Sequence, residues 1–409
     1  MAPTPPIIGP GGSRVHDTTS HPAPVWQRAA LRLRGGYFWH FAGVGTFSPF
    51  AALYYRELGF SGIEVGVLTA IPAFSAAFFG AFWGALADAW AVHRLMLRVA
   101  LGLAGLLALA ASQVTSFAAV LALIALLAFT AVPVPPLLDS YGMTITERTG
   151  TSYGSMRVWG SIGFMGMTLG LGRLLGKEVS ATILIAYALC FGLTLVSVYN
   201  LPPLADRHPR SIFAGLGAVR HNQPLLLLLA VAYLLASGSA IMYSFLGIHI
   251  KEMGGTASMV GLAFALSAFA ELPVVAFGGW FLARFGAYRL ICLSLAVFAV
   301  RFAAFGLITT PEWILPVQLL HGVSYGAYLM ASVTLARRLA GRQQAATAQA
   351  LLTAVSFGFG SITGALVGGA LLDTVGAANL FLGAAVLMVI DLCLLVLGNR
   401  AVGLDRPSA

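Results

Sequence analysis

The sequence predicts an all-α, polytopic membrane protein with twelve transmembrane helices in two six-helix bundles. Three observations predict it. Hydrophobic residues make up 59% of the 409 and charged residues only 9%, a balance suited to a bilayer and not to water. Apolar runs of roughly 20 residues, each long enough to cross about 30 Å of hydrocarbon, recur between short polar connections. The basic residues fall in alternate connections. One side carries Arg14, Arg28, Arg32, Arg34, Arg94, Arg98, Arg148, Arg207, Arg210, Arg220, Arg284, Arg289, Arg337, Arg338, Arg342, Arg400 and Arg406, whereas the other holds Arg56, Arg173, Lys177 and Lys251. By the positive-inside rule the arginine-rich side is cytoplasmic, so both termini are cytoplasmic and the span count is even. The net charge of +9 follows the membrane rather than a nucleic acid.

Taken in order, the runs 36–56 and 62–86 flank Arg56, and 94–113 begins at the Arg94 and Arg98 connection. Runs 116–140 and 154–176 are joined across Arg148, and 179–201 is entered past Arg173 and Lys177. In the second half, 223–250 ends at Lys251, 257–283 and 287–308 are separated by Arg284, and 312–336 stops at Arg337. Runs 345–372 and 377–399 follow, the last ended by Arg400. Residues 1–34, rich in Pro, Gly and Arg without a continuous apolar run, read as a disordered cytoplasmic tail and not as a signal peptide. The divisions are therefore 35–201 for the first bundle, 202–222 for a cytoplasmic linker, 223–399 for the second bundle and 400–409 for a cytoplasmic tail. The linker carries Pro202, Pro203, Asp206, Arg207, His208, Pro209 and Arg210. Gly84 and Gly279 each precede an Arg-Leu pair, Arg94-Leu95 and Arg289-Leu290, at one constant offset. That is the mark of two parallel repeats.

Asp139, Arg157, Glu271, Arg301 and His321 are ionisable residues inside stretches that otherwise read as lipid-soluble helix. An unpaired charge in hydrocarbon is costly, so such residues mark a solute or proton pathway. Asp139 ends the fourth span and Arg157 begins the fifth, so antiparallel neighbours bring them to one depth, where they can pair. At 1.5 Å per residue, Glu271 lies about 20 Å along its span, Arg301 a similar distance along the next and His321 roughly 14 Å into the one after. All three approach the midplane, where a carboxylate, a guanidinium and an imidazole can exchange a proton. His40 and Gln318, with Tyr243 and Tyr325, are candidate cavity hydrogen-bonders. Asp391 lies mid-span in the last helix, placed to pair with Arg301 from behind. Cys190, Cys292 and Cys393 all fall within spans, unpaired by spacing, and no metal-ligand or cofactor motif is present. No Ser-His-Asp order or nucleotide fingerprint sits in a solvated loop, so an enzyme is not expected.

The stretch Gly84-Ala85-Leu86-Ala87-Asp88, followed by His93-Arg94, resembles the loop signature of the major facilitator superfamily. Ala89, Ala91 and Val92 depart from its usual Arg, Gly and Arg. The resemblance implies a cytoplasmic latch between Asp88 and Arg94. Gly36-Tyr37-Phe38, Tyr153-Gly154-Ser155-Met156-Arg157-Val158-Trp159-Gly160-Ser161, Ala270-Glu271 and Gln318-Leu319-Leu320-His321 resemble the phenylpropionate-permease-like group, relatives of lactose permease and the nucleoside:proton symporters. This implies proton-coupled symport by alternating access, with Asp139 and Arg157 binding solute beside Ser161 and Phe164, and Glu271, Arg301 and His321 coupling the proton. The sequence departs from lactose permease at Ser324, where a carboxylate is expected, at Gln318, where a lysine is, and at Phe164, where a tryptophan stacks on galactoside. An aromatic or other organic acid is therefore the favoured solute, with nucleosides, sugars, a proton-driven exporter and a non-transporting sensor as alternatives. The expected partners are the solute, protons and the bilayer of a bacterial inner membrane, with the protein a monomer.

Overall fold

The computed structural model describes residues 24–90, 92–176, 178–204 and 221–404. The tail before Pro24, most of the expected linker and the last five residues lie outside the described residues. The N-terminal half comprises α1 (Pro24–Phe47), α2 (Ala51–Glu57), α3 (Gly62–Trp90), α4 (His93–Ala111), α5 (Phe117–Ala131), α6 (Val134–Thr149), α7 (Tyr153–Leu175) and α8 (Thr182–Val198). The C-terminal half comprises α9 (Gln223–Glu252), α10 (Ala257–Ala276), α11 (Gly278–Phe285), α12 (Ala287–Leu307), α13 (Ile314–Gln318), α14 (Ala327–Thr353) and α15 (Ser361–Val402). Two stretches, Gly322–Gly326 and Ala354–Gly360, are wound as π-helix.

Proline explains most of the breaks within single spans. Pro49 separates α1 from α2, Pro133 separates α5 from α6, and Pro273 precedes the bend between α10 and α11, because each lacks an N–H and crowds the preceding turn. Glycine breaks the longest runs. α14 is interrupted at Gly341 and α15 at Gly376, where φ is +68° and +78°, angles that strain any side chain with a Cβ. Among the described residues nine helical runs are long and apolar enough to cross a membrane. The 17-residue α8 and the arginine-bearing α1 fall outside that set.

The first helix corrects the expected tail. Residues 24–34 belong to α1, because Ala29, Ala30 and Leu33 form a buried face while Arg32 Nη1 donates to the Asn200 carbonyl at 2.7 Å. A short amphipathic stripe of this kind is masked by the surrounding Pro, Gly and Arg.

Within each half, small residues let backbones touch. Gly163 of α7 lies against the Phe38 carbonyl of α1, Gly364 of α15 against the Ser237 carbonyl of α9, and Gly322 against the Ala270 carbonyl of α10. Between the halves, α3 meets α15 and α7 meets α10. Those contacts are at the end opposite the arginine-rich connections. A Cβ on Gly62 would sit 2.6 Å from the Gly369 carbonyl, and one on Gly172 would sit 3.0 Å from the Ala257 carbonyl. Arg56 pairs with Asp373 at 2.9 Å and Lys251 with Glu57 at 3.5 Å. Asp373 Oδ2 also accepts the Gly62 amide at 2.5 Å. Exposed ion pairs add little each; here they flank a seam already closed by glycine packing.

Candidate functional site

Two cavities lie between the helices. The larger, about 540 Å³, is walled by His40, Phe47, Ser48, Tyr55 and Thr69 from the N-terminal half and by Tyr243, Ser244, Phe357 and Ser361 from the C-terminal half. The smaller, about 180 Å³, shares Thr69, Tyr243, Ser244, Phe357 and Ser361 with it and adds Tyr325, Tyr328 and Gln349. Tyr243 therefore faces both.

Behind Tyr243 runs a chain of hydrogen bonds through the C-terminal half. Its hydroxyl is 3.3 Å from His321 Nε2, and His321 Nδ1 is 2.9 Å from Arg301 Nη1. A guanidinium can only donate, so Nδ1 accepts; in the neutral imidazole Nε2 then carries the hydrogen and donates to Tyr243. The Tyr243 hydroxyl is left free to donate into the cavity. Arg301 Nη2 donates to Gln318 Oε1, and the guanidinium sits 5.3 Å from the Phe305 ring centroid. Tyr325 stacks on His321 at 5.2 Å, nearly parallel at 8°. The π-helical turn Gly322–Gly326 aims His321 and Tyr325 at the same spot, a role such bulges often have at sites.

This arrangement corrects three expectations. Arg301 is fully buried but grips Gln318 and His321 rather than Glu271. Glu271 lies half-buried against Gly326, 3.3 Å from where a Cβ would project. Its cationic neighbour is Arg157 of the other half, while Tyr243 and Tyr325 share its surroundings. Asp391 does not pair with Arg301; it is fully buried, and neither carboxyl oxygen has a hydrogen-bond partner. Counting residues along a helix gives depth, but it does not give azimuth.

The N-terminal pair is also rearranged. Asp139 Oδ1 accepts from Tyr37 at 2.7 Å and from Tyr153 at 2.9 Å. Arg157 instead stacks on Phe41, its Cζ 4.0 Å from the ring centroid. His40 lines the larger chamber, is packed edge-on to Phe41, and its Nδ1 has no partner. Ser161 and Phe164 sit on α7 outside both cavity walls, and the Phe164 carbonyl packs on Gly45. Of the expected latch, Arg94 donates to the Leu201 carbonyl at 3.5 Å, beside Arg98, which stacks on Tyr199. The Asp88 side chain lies outside the described residues.

Sequence reasoning missed Thr69, Ser239, Tyr328, Ser332 and Ser356, all cavity residues. Tyr325, Tyr328 and Ser332, at i, i+3 and i+7, did carry a signal for one polar helix face.

Arg301→Lys is expected to lower stability by about 2 kcal/mol, because one ammonium cannot reach both His321 and Gln318 with the geometry of a planar fork. Thermal unfolding in detergent checks it; an unchanged midpoint would mean the bridge is incidental.

A helical membrane fold with a solute-sized chamber shared by two halves defines the class of carriers. The chain belongs to the MFS_1 like family, whose model matches residues 30–383; it is a membrane transporter and not an enzyme. It is 30% identical over 383 residues to a maltose permease of Geobacillus stearothermophilus, covering 90% of this chain and 95% of that one. It is 29% identical over 340 residues to a probable 3-phenylpropionic acid transporter of Escherichia coli (strain K12), covering 80% and 86%. A crystal structure of the nucleoside transporter NupG superimposes with a TM-score of 0.82 at 19% identity, covering 91% of this chain and 99% of that one. That structural likeness speaks for the fold.

Proposed function

We propose that the chain is a proton-coupled importer of a small, neutral, polyhydroxylated solute, working by alternating access as a monomer in a bacterial cytoplasmic membrane. It crosses twelve times with both termini inside. The carrying observation is the chamber of about 540 Å³ walled by both halves, with the seam beyond it packed shut at the end opposite the arginines. That end faces outward, so the conformation is closed to the outside. Asp88 and Arg94 act at the cytoplasmic end.

The chamber chemistry favours a sugar or nucleoside over the organic acid the sequence favoured. Its walls offer hydroxyls of Ser48, Tyr55, Thr69, Tyr243, Ser244 and Ser361 and the imidazole of His40, with aromatic faces and no formal charge among the lining residues. Hydroxyls and ring faces suit a polyol; a carboxylate would want a guanidinium. Arg301 is already committed. Arg157, stacked on Phe41, keeps an aromatic acid as the second reading, which the E. coli relative's name supports.

Coupling is assigned to Glu271. Ionised, it attracts Arg157 across the gap between halves; protonated, it releases that attraction, so the proton biases the equilibrium between conformations. His321 and Arg301 hold Tyr243 in place at the cavity wall. Gln318, Ser161, Phe164 and Asp139 support the solute-binding helices around it.

The test is uptake into proteoliposomes with an imposed pH gradient, using maltose, uridine and 3-phenylpropionate as solutes. Accumulation of maltose or uridine that a protonophore abolishes is the expected result. Accumulation of phenylpropionate alone would transfer the assignment to the second reading, and no gradient-driven accumulation of any of the three would reject it.

A further inference from the structure

The two cavities share one wall, and the most open rings of the chamber stand on it. Thr69, Tyr243, Ser244, Phe357 and Ser361 line both spaces. Phe357 is 51% exposed and Tyr243 38%, whereas Tyr55, Tyr187 and Phe191 on the wall of the larger cavity are nearly covered, at 1%, 6% and 0%. An aromatic face left open inside a chamber is apolar surface that a solute can cover.

The backbone beneath Phe357 is held from several sides. Phe357 belongs to the π-helical stretch Ala354–Gly360. A Cβ on Gly358 would lie 2.8 Å from that of Ala77 on α3, and one on Gly360 would lie 2.8 Å from the Tyr233 carbonyl of α9. Ser361 Oγ donates to the Ser356 carbonyl at 2.9 Å, closing the turn that contains Phe357. The ring is open while its mounting is fixed, which makes it a preorganised platform. Phe359, two residues on, is equally exposed but meets Phe78 of α3 edge-on at 6.1 Å and lines neither cavity.

The hydroxyls around this ring have divided roles. Thr69 Oγ1 gives its hydrogen to the Val65 carbonyl at 2.9 Å and Ser361 gives its own to Ser356, so both oxygens keep only acceptor capacity. Tyr243, which accepts from His321, keeps its hydrogen to donate. A carboxylate can only accept, and here it would meet two oxygens that also can only accept. A hydroxyl does both.

We propose that the shared wall is the ring subsite of the chamber. Phe357 stacks on the apolar face of a hydroxylated ring, Tyr243 donates to one of its oxygens, and Thr69 and Ser361 accept from its hydroxyls. The inference rests on the solute being a polyol bound between the halves, and it narrows that class to cyclic solutes. Phe357 thereby sets the preference for a ring over an open chain.

The experiment is calorimetric titration of the purified full chain with maltose, uridine and sorbitol, in wild type, Phe357→Leu, Phe357→Tyr and Phe359→Leu. Wild type should bind maltose or uridine, and sorbitol, which has hydroxyls but no ring, more weakly. Phe357→Leu keeps an apolar side chain but loses the aromatic face, so affinity for the cyclic solute should fall about fivefold, the size of one ring contact. Phe357→Tyr and Phe359→Leu should keep wild-type affinity. Unchanged affinity in Phe357→Leu, an equal loss in Phe357→Tyr or in Phe359→Leu, or sorbitol binding as tightly as the cyclic solutes would overturn the proposal and leave the polyol chamber standing. A wild-type protein that binds none of the three would overturn the chamber reading itself, and this subsite with it.

Discussion

Glu271→Gln is expected to abolish accumulation driven by a pH gradient while leaving exchange between two equal solute pools intact. Glutamine keeps the size and hydrogen-bonding edge of the protonated acid but cannot ionise. The position against Gly326 is therefore undisturbed, and the attraction to Arg157 is permanently removed. The halves should still rock around a bound solute, because the chamber is walled by other residues. A gradient of one pH unit is worth about 1.4 kcal/mol, or tenfold accumulation for each coupled proton. Counterflow and gradient-driven uptake measured in the same proteoliposomes separate the two functions. Loss of both would make Glu271 a structural residue, and persistence of both would move coupling to another acid.

Much of the fold was legible because hydrocarbon imposes a simple rule: a span must be long and apolar, and its flanks carry the sign of the compartment. The interior positions of Asp139, Arg157, Glu271, Arg301 and His321 followed from the same rule. Their partners did not. Asp139 and Arg157 share a depth, yet two tyrosine hydroxyls take the carboxylate and a phenyl ring takes the guanidinium. Which face of a helix meets which neighbour depends on close approaches such as Gly163 on the Phe38 carbonyl, and no spacing in the chain encodes them. The π-helical turn at Gly322–Gly326 adds a local rotation that a regular 3.6-residue period cannot anticipate. Asp391, expected to pair with Arg301, is instead buried in a part of α15 that Gly238 of α9 and Gly306 of α12 allow to pack closely, at Met388 and at the Ala378 carbonyl.

The seam between halves is the least legible feature, since Arg56 and Asp373 are 317 residues apart. It also carries the largest mechanical consequence. A carrier of this kind must part Gly62 and Gly66 of α3 from Ala365 and Gly369 of α15 each time the chamber opens to the other side. Tying that seam should stop turnover without touching the solute site. The ion pair at its rim offers attachment points exposed enough to react, with side chains 33% and 42% accessible. Cys190, Cys292 and Cys393 can be replaced first, because none forms a disulfide.

The deciding measurement is transport by an otherwise cysteine-free Arg56→Cys, Asp373→Cys double variant, before and after joining the two thiols with a short reducible cross-linker. Uptake and exchange close to wild type are expected in the reduced protein, since an exposed ion pair contributes about 1 kcal/mol or less. Both should be lost on cross-linking and recovered on reduction. Undiminished transport in fully cross-linked protein would contradict alternating access at this seam.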